Sequence, residues 1–186
     1  MGPDGDGDIW SGSSQFNGSS GEIVIIDAKS FAVKKQFDLG NSGVGCFYRH
    51  KREMWVGAQD FICAFDVDVR SCQAAHKTTR ATTHCLTISL RQSHQPVRQL
   101  RVGIGMIDCL VGVGDAIWTC SWKSSRICVW HAESGAQLHT LTDHTDKVRW
   151  LVRVGATIWS CSNDRTIMIW DTTVRRWLAH TKLALS

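Results

Sequence analysis

Residues 144–171 read HTDKVRWLVRVGATIWSCSNDRTIMIWD, and four side chains in this stretch decide the fold: His144, Ser160, Asp164 and Trp170. Ser160 stands four residues before Asp164, Trp170 six after it, and His144 twenty before it. An imidazole can bond on both edges, a carboxylate only accepts, a hydroxyl does both, and an indole only donates. Such a set can close as one chain of hydrogen bonds in a core, where any member left unpaired would be penalised. The residues around them read as β-structure. An apolar run at 156–161 and a β-rich run at 166–170 flank Ser162-Asn163-Asp164-Arg165, whose Asn and Asp suit a tight turn. That is a hairpin. Residues 148–154 supply a strand before it and residues 176–183 one after it, so four strands fill about 40 residues.

The hairpin recurs. Its first strand reads Ile9-Trp10-Ser11-Gly12, Met54-Trp55-Val56-Gly57, Ile117-Trp118-Thr119-Cys120 and Ile158-Trp159-Ser160-Cys161. Its second reads IVIID from Ile23, ICAFD from Ile62, ICVWH from Ile127 and IMIWD from Ile167. An irregular β-sandwich would not produce this recurring Trp anchor. The pattern resembles the tryptophan-aspartate (WD) repeat of β-propellers. The resemblance implies an all-β propeller of four-stranded antiparallel blades, about four of them present as a partial ring. It also implies that His144, Ser160, Asp164 and Trp170 form the buried chain that locks a blade. Only the last blade carries all four. The third has Thr119 and Trp130 at the serine and tryptophan positions, but Lys123 where the aspartate is expected. The first two end in Ile26-Asp27 and Phe65-Asp66 without the tryptophan.

The anchor tryptophans at 10, 55, 118 and 159 are 45, 63 and 41 residues apart. The middle interval is overlong by about twenty residues against the 40–45-residue period of such a blade. The reading assigns 1–8 to a flexible N-terminus, 9–186 to blades, and the surplus to a basic insertion at 81–101 following the fourth strand of blade two. A glycine- and serine-rich turn lies at 15–21. Residues 69–107 hold no Asp or Glu, whereas Arg80, Arg91, Arg98 and Arg101 fall within them. These four arginines are candidates for binding an anion, RNA or a phosphoinositide. The stretch lacks aromatics on which bases could stack, which disfavours RNA. A solvated insertion is the simpler expectation.

Composition narrows the function. The chain has 186 residues and a formal net charge of +4. No apolar run is long enough to cross a bilayer as a helix, and residues 1–8 do not read as a secretory signal. The eight cysteines lack C-x-x-C pairs and zinc-ligand spacing. Cys63, Cys109, Cys120, Cys128 and Cys161 fall inside strands and read as buried free thiols in a reducing compartment. No phosphate loop, nucleophile elbow or calcium loop is present. His144, Asp146 and Ser160 fit the blade lock better than a catalytic triad. The expectation is a protein without catalytic residues, metal or cofactor, in the cytoplasm, with the nucleus as the second compartment.

Rigid blades with variable turns suit protein docking, although fold alone does not fix function. The candidate partner-binding residues are Trp122, Lys123, Arg126, His131, Arg149, Asn163 and Arg165, with Trp122 foremost because tryptophan and arginine anchor interfaces. A second reading follows from resemblance to the degenerate propellers of inositol polyphosphate 5-phosphatases and Rho-family regulators, in which this chain would be the regulatory part of a signalling enzyme. Four blades leave a ring open, with sheet faces that invite association. The expectation is a truncated product or a homo-oligomer; two copies, about 370 residues, come near an eight-bladed ring on the 40–45-residue period.

Overall fold

The computed structural model describes residues 7–13, 21–40, 42–67, 96–172 and 179–184. They form β-strands in four antiparallel sheets. Sheet one holds β1 (Asp8–Gly12), β2 (Glu22–Asp27) and β3 (Val33–Asp38). Sheet two holds β4 (Val44–His50), β5 (Glu53–Asp66) and β6 (Arg98–Met106). Sheet three holds β7 (Cys109–Val113), β8 (Ala116–Cys120), β9 (Ile127–His131) and β10 (Gln137–Leu141). Sheet four holds β11 (Val148–Val154), β12 (Thr157–Ser162), β13 (Thr166–Asp171) and β14 (Ala179–Ala184). The all-β blade architecture expected from the repeat is what the chain adopts.

β5 is one extended run of 14 residues, which laid straight would span roughly 45 Å. The residues flanking it are nevertheless bonded, Val67 N–H donating to the Arg52 carbonyl at 2.9 Å. The run therefore doubles back on itself. Asp60, with a left-handed φ of 62°, lies midway between these flanks and supplies the reversal. Sheet two thus contains the Trp55 hairpin read from the sequence, with β4 paired to its first arm and β6 to its second.

β6 corrects the sequence reading. The overlong interval falls before the fourth extended segment of sheet two, not after it, because residues 98–101 belong to a strand paired with β5. Leu100, Val102, Ile104 and Met106 lean inward, while Gln99, Arg101 and Gly103 face solvent. That two-residue alternation of a half-buried strand is present in the sequence. The arginines at 98 and 101 masked it. Residues 15–20 of the turn at 15–21 and the greater part of the insertion at 81–101 lie outside the described residues.

The sheets stack in chain order, and a separate apolar cluster fills each junction. Ile23, Val44, Val56 and Phe65 join sheets one and two. Trp55, Ile62, Leu110, Ile117 and Trp130 join two and three. Trp118, Val129, Leu151, Met168 and Trp170 join three and four. Sheet three is therefore covered on both faces: β7 and β8 are buried at every residue, and both are nearly continuous apolar runs. β12 and β13 in sheet four alternate instead, with one face buried. Gly112 allows the junction of sheets two and three to close. A Cβ there would lie 2.6 Å from His50 Nδ1 and 2.8 Å from Tyr48 Cε1. The Tyr48 hydroxyl donates to the Gly112 carbonyl at 3.1 Å across this junction.

Candidate functional site

His144, Ser160, Asp164 and Trp170 come together as one buried chain. Trp170 Nε1 donates to Ser160 Oγ at 2.9 Å, Ser160 Oγ lies 2.7 Å from His144 Nε2, and His144 Nδ1 lies 2.8 Å from Asp164 Oδ2. The donor inventory sets the directions for a neutral imidazole. The carboxylate only accepts, so Nδ1 carries the proton, and the Ser160 hydroxyl donates to Nε2. Asp164 also accepts from the Thr145 N–H, the Thr166 N–H and the Thr166 hydroxyl. Burial alone would raise its pKa. The bonds from Thr166, His144 and Thr145 outweigh burial and hold the carboxyl below the ordinary carboxylate range. Each side chain of the set bonds another within the blade.

Sheet three keeps half of this device. Trp130 Nε1 donates to Thr119 Oγ1 at 3.2 Å, and Thr119 Oγ1 donates onward to the Cys128 carbonyl at 3.3 Å. Lys123, at the aspartate position, turns outward instead. Its Nζ sits 5.1 Å from the centre of the Trp122 ring.

That departure builds the candidate site. Three segments meet at the end of the sheets that carries the β8–β9, β10–β11 and β12–β13 turns. Asp108 precedes β7, Trp122 and Lys123 lie in the β8–β9 turn, and Lys147, Arg149 and Trp150 lead into β11. Asp108, Trp122, Arg149 and Trp150 line an open groove of about 580 Å³. Trp122 is 41% exposed and Trp150 59%. Lys147 Nζ also approaches the Trp122 ring, at 6.0 Å, so two ammonium groups sit over one indole. The Trp122 N–H donates to Asp108 Oδ2 at 2.9 Å and anchors the turn. Burial pushes the Asp108 carboxyl up, while that N–H, Arg149 and Lys123 pull it back. Among the described residues, no carboxylate forms an ion pair with Lys123, Lys147 or Arg149.

Of the seven residues expected to contact a partner, the structure brings Trp122, Lys123 and Arg149 together at this groove. Arg126 is exposed in the same turn as Trp122, and its guanidinium reaches the Gly103 carbonyl at 3.4 Å. Asn163 and Arg165 are exposed in the β12–β13 turn, tied to the groove's rim by the Asn163 N–H bond to the Lys147 carbonyl. His131 does not join them. It lies at the opposite end, beside Asp115 and Leu138, and accepts from the Ser134 N–H.

Sequence reasoning missed Lys147, Asp108 and Trp150. In a regular strand Trp150 would share the inward face with Val148. An irregularity in the β11–β12 register between these two residues puts Leu151 on that face and leaves Trp150 outside.

Arg98 is committed within the molecule. Its guanidinium pairs with Glu53, donates to the Glu133 carbonyl at 2.9 Å and lies over the Trp55 ring at 5.7 Å. It is a clamp between sheets two and three rather than an anion site. Arg101 is exposed on β6. Arg80 and Arg91 lie outside the described residues. Cys63, Cys109, Cys120 and Cys128 are buried free thiols, as expected, but Cys161 is only half-buried. No group of side chains suited to hold a metal ion exists among the described residues.

No family model matches the chain. Solved structures do. A chain in the crystal structure of the Mitotic Checkpoint Complex superposes with a TM-score of 0.62 at 16% identity, covering 95% of this chain and 47% of that one. The crystal structure of the computationally designed Ika8 protein gives 0.65 at 16% identity, covering 92% and 45%. At that identity the likeness is one of fold. The present chain spans just under half the length of either.

Proposed function

We propose that this chain is a non-catalytic WD-repeat module of the cytoplasm that docks a partner protein in the groove between Trp122 and Trp150. One observation carries the reading. Two exposed indoles and Arg149 line one concavity, and Lys123 and Lys147 stand beside the Trp122 ring at its edge. These three cations outnumber Asp108, the one carboxylate on the lining, with which none of them forms an ion pair among the described residues. Exposed tryptophan and arginine on a rigid scaffold are what interface anchors are made of. The excess of positive charge selects an acidic segment of a partner. Asp143 and Asp146, on the adjoining turn, interrupt any continuous basic track of the kind a nucleic-acid backbone needs. A component of a checkpoint complex shares the fold, which fits a docking role.

The test is fluorescence anisotropy with a labelled decapeptide of Glu and Phe, against its Gln counterpart. The Glu peptide binds, binds more weakly as salt rises, and loses about tenfold in affinity with Arg149→Glu, roughly the 1.4 kcal/mol of a tenfold change. Trp122→Ala weakens both peptides. Equal binding of the Glu and Gln peptides, or indifference to both substitutions, sinks the reading.

A further inference from the structure

At the last step of the β7–β8 ladder, Cys109 stands directly opposite Cys120. Both side chains belong to the cluster that packs on sheet four, Cys109 being 6% exposed and Cys120 fully buried. Facing residues on antiparallel strands have Cα atoms roughly 4.5–5.5 Å apart, within the roughly 4.4–6.8 Å that a disulfide spans. The Cys120 thiol donates to the Cys109 sulfur, so the two sulfurs are already in contact. Cys109 in turn donates to the Leu151 carbonyl of β11 at 3.4 Å. The bond from Cys120 holds the Cys109 thiol below its ordinary value against burial, and the same bond pushes the Cys120 thiol up. Cys109 is thus the member of the pair that ionises first. Cys46 is placed otherwise. It lies on the sheet-two side, bonded to the Ile107 carbonyl at 3.4 Å, and burial pushes its thiol up to about 12.

The pair adjoins both walls of the groove between Trp122 and Trp150. Asp108 is the residue before Cys109, and Trp122 is the second after Cys120. The Trp122 N–H bond to Asp108 closes over the pair, and the Asp108 N–H donates to the Cys120 carbonyl at 3.2 Å. On the other wall, Leu151, whose carbonyl accepts the Cys109 thiol, directly follows Trp150. One thiol proton therefore ties wall to wall. A disulfide removes that proton and draws the two sulfurs to about 2.05 Å. The Leu151 carbonyl is released, and with it the neighbouring Trp150.

We propose that Cys109 and Cys120 are a modification site, a reversible disulfide formed by hydrogen peroxide that loosens the groove; the regulatory part rests on the docking reading above. Hydrogen peroxide is little larger than water and is matched to a sulfur that is 6% exposed. Cys109 gives its proton to solvent. Its thiolate attacks one peroxide oxygen, the O–O bond breaks, and the hydroxide released takes up that proton as water. The Cys120 sulfur then attacks the Cys109 sulfenic acid. The S–O bond breaks, the S–S bond forms, and the sulfenic hydroxyl leaves with the Cys120 proton as a second water. The two thiols lose two electrons and one peroxide gains them. Exchange with an external dithiol reverses the bond. In a reducing compartment a disulfide is transient, which is what a regulatory bond requires.

The experiment treats the reduced 186-residue chain with hydrogen peroxide, blocks remaining thiols with N-ethylmaleimide and digests it unreduced with trypsin. Residues 102–123 form one tryptic peptide that holds both cysteines and no internal Lys or Arg. Mass spectrometry is expected to find it unlabelled and lighter by two hydrogens, and doubly labelled when dithiothreitol precedes the block. The labelled decapeptide of Glu and Phe binds the oxidised chain about tenfold more weakly than the reduced one, the loss of one displaced anchor, and dithiothreitol restores it. Cys109→Ser and Cys120→Ser, checked for fold by circular dichroism, bind the peptide equally with and without peroxide. Where either fails to fold, the peptide map and the dithiothreitol reversal on wild type decide. Labels on both thiols after peroxide, or Cys46 joined to either, overturn the site whatever the peptide does. A closed disulfide with unchanged affinity overturns the regulation. A reduced chain that binds the Glu and Gln peptides equally overturns the docking reading, and the regulation with it; the peptide map tells the two failures apart.

Discussion

Asp164 organises the buried polar chain of sheet four. It accepts from His144, Thr145 and Thr166, and through His144 it orders Ser160 and Trp170. Replacing it with Asn leaves buried donors without a charged acceptor, at a cost of about 1–3 kcal/mol. Its folded pKa is depressed despite burial, so it binds its proton more weakly folded than unfolded. The stability it contributes is complete above the unfolded value of about 3.9 and is lost as pH falls through the lower folded value. Urea titrations of wild type and Asp164→Asn across pH should therefore show a gap that is constant near neutrality and narrows below about pH 4. A gap that widened in acid would mean that the carboxylate is not held in its charged form. Thr119→Ala is the smaller counterpart in sheet three. It strips the partner from Trp130 but breaks no link to a carboxylate.

At the scale of the strand, the sequence is most legible where one face is buried. β12, the turn at Asn163 and β13 lie close to the residues read for them, because alternation, turn chemistry and the tetrad all point to one arrangement. The alternation of β6 carries equal information, but its outward positions hold arginine and glycine. The charge pattern of the region drew the reading towards an insertion. The groove was half legible. Turn position identified Trp122, Lys123 and Arg149, whereas the irregularity that leaves Trp150 outside depends on pairing and has no local signal. Gly112 shows the same limit, since only the packed junction reveals why the position is glycine. Gly112→Ala would drive a methyl into the His50 ring and the Tyr48 ring, neither being the tip of a long flexible chain. The expected loss is about 1–3 kcal/mol of overpacking strain, read as a lower thermal midpoint. An unchanged midpoint would mean that sheets two and three separate without resistance.

The molecule as a whole behaves as a short stack in which each sheet is stabilised by its neighbours, so stability is a sum of sheet and junction contributions. Sheet three has two junctions, sheet four one junction and the complete His144–Trp170 chain, and sheet one a single junction with no such chain. In sheet one Ile26 stands where Trp170 stands in sheet four, and the aromatic contacts of Trp10 and Phe37 with sheet two hold it in place. Local opening should follow that order. Amide hydrogen exchange is expected to be fastest in β1–β3, intermediate in β11–β13 and slowest in β7–β9. Equal protection of all four sheets would show that they unfold as one unit.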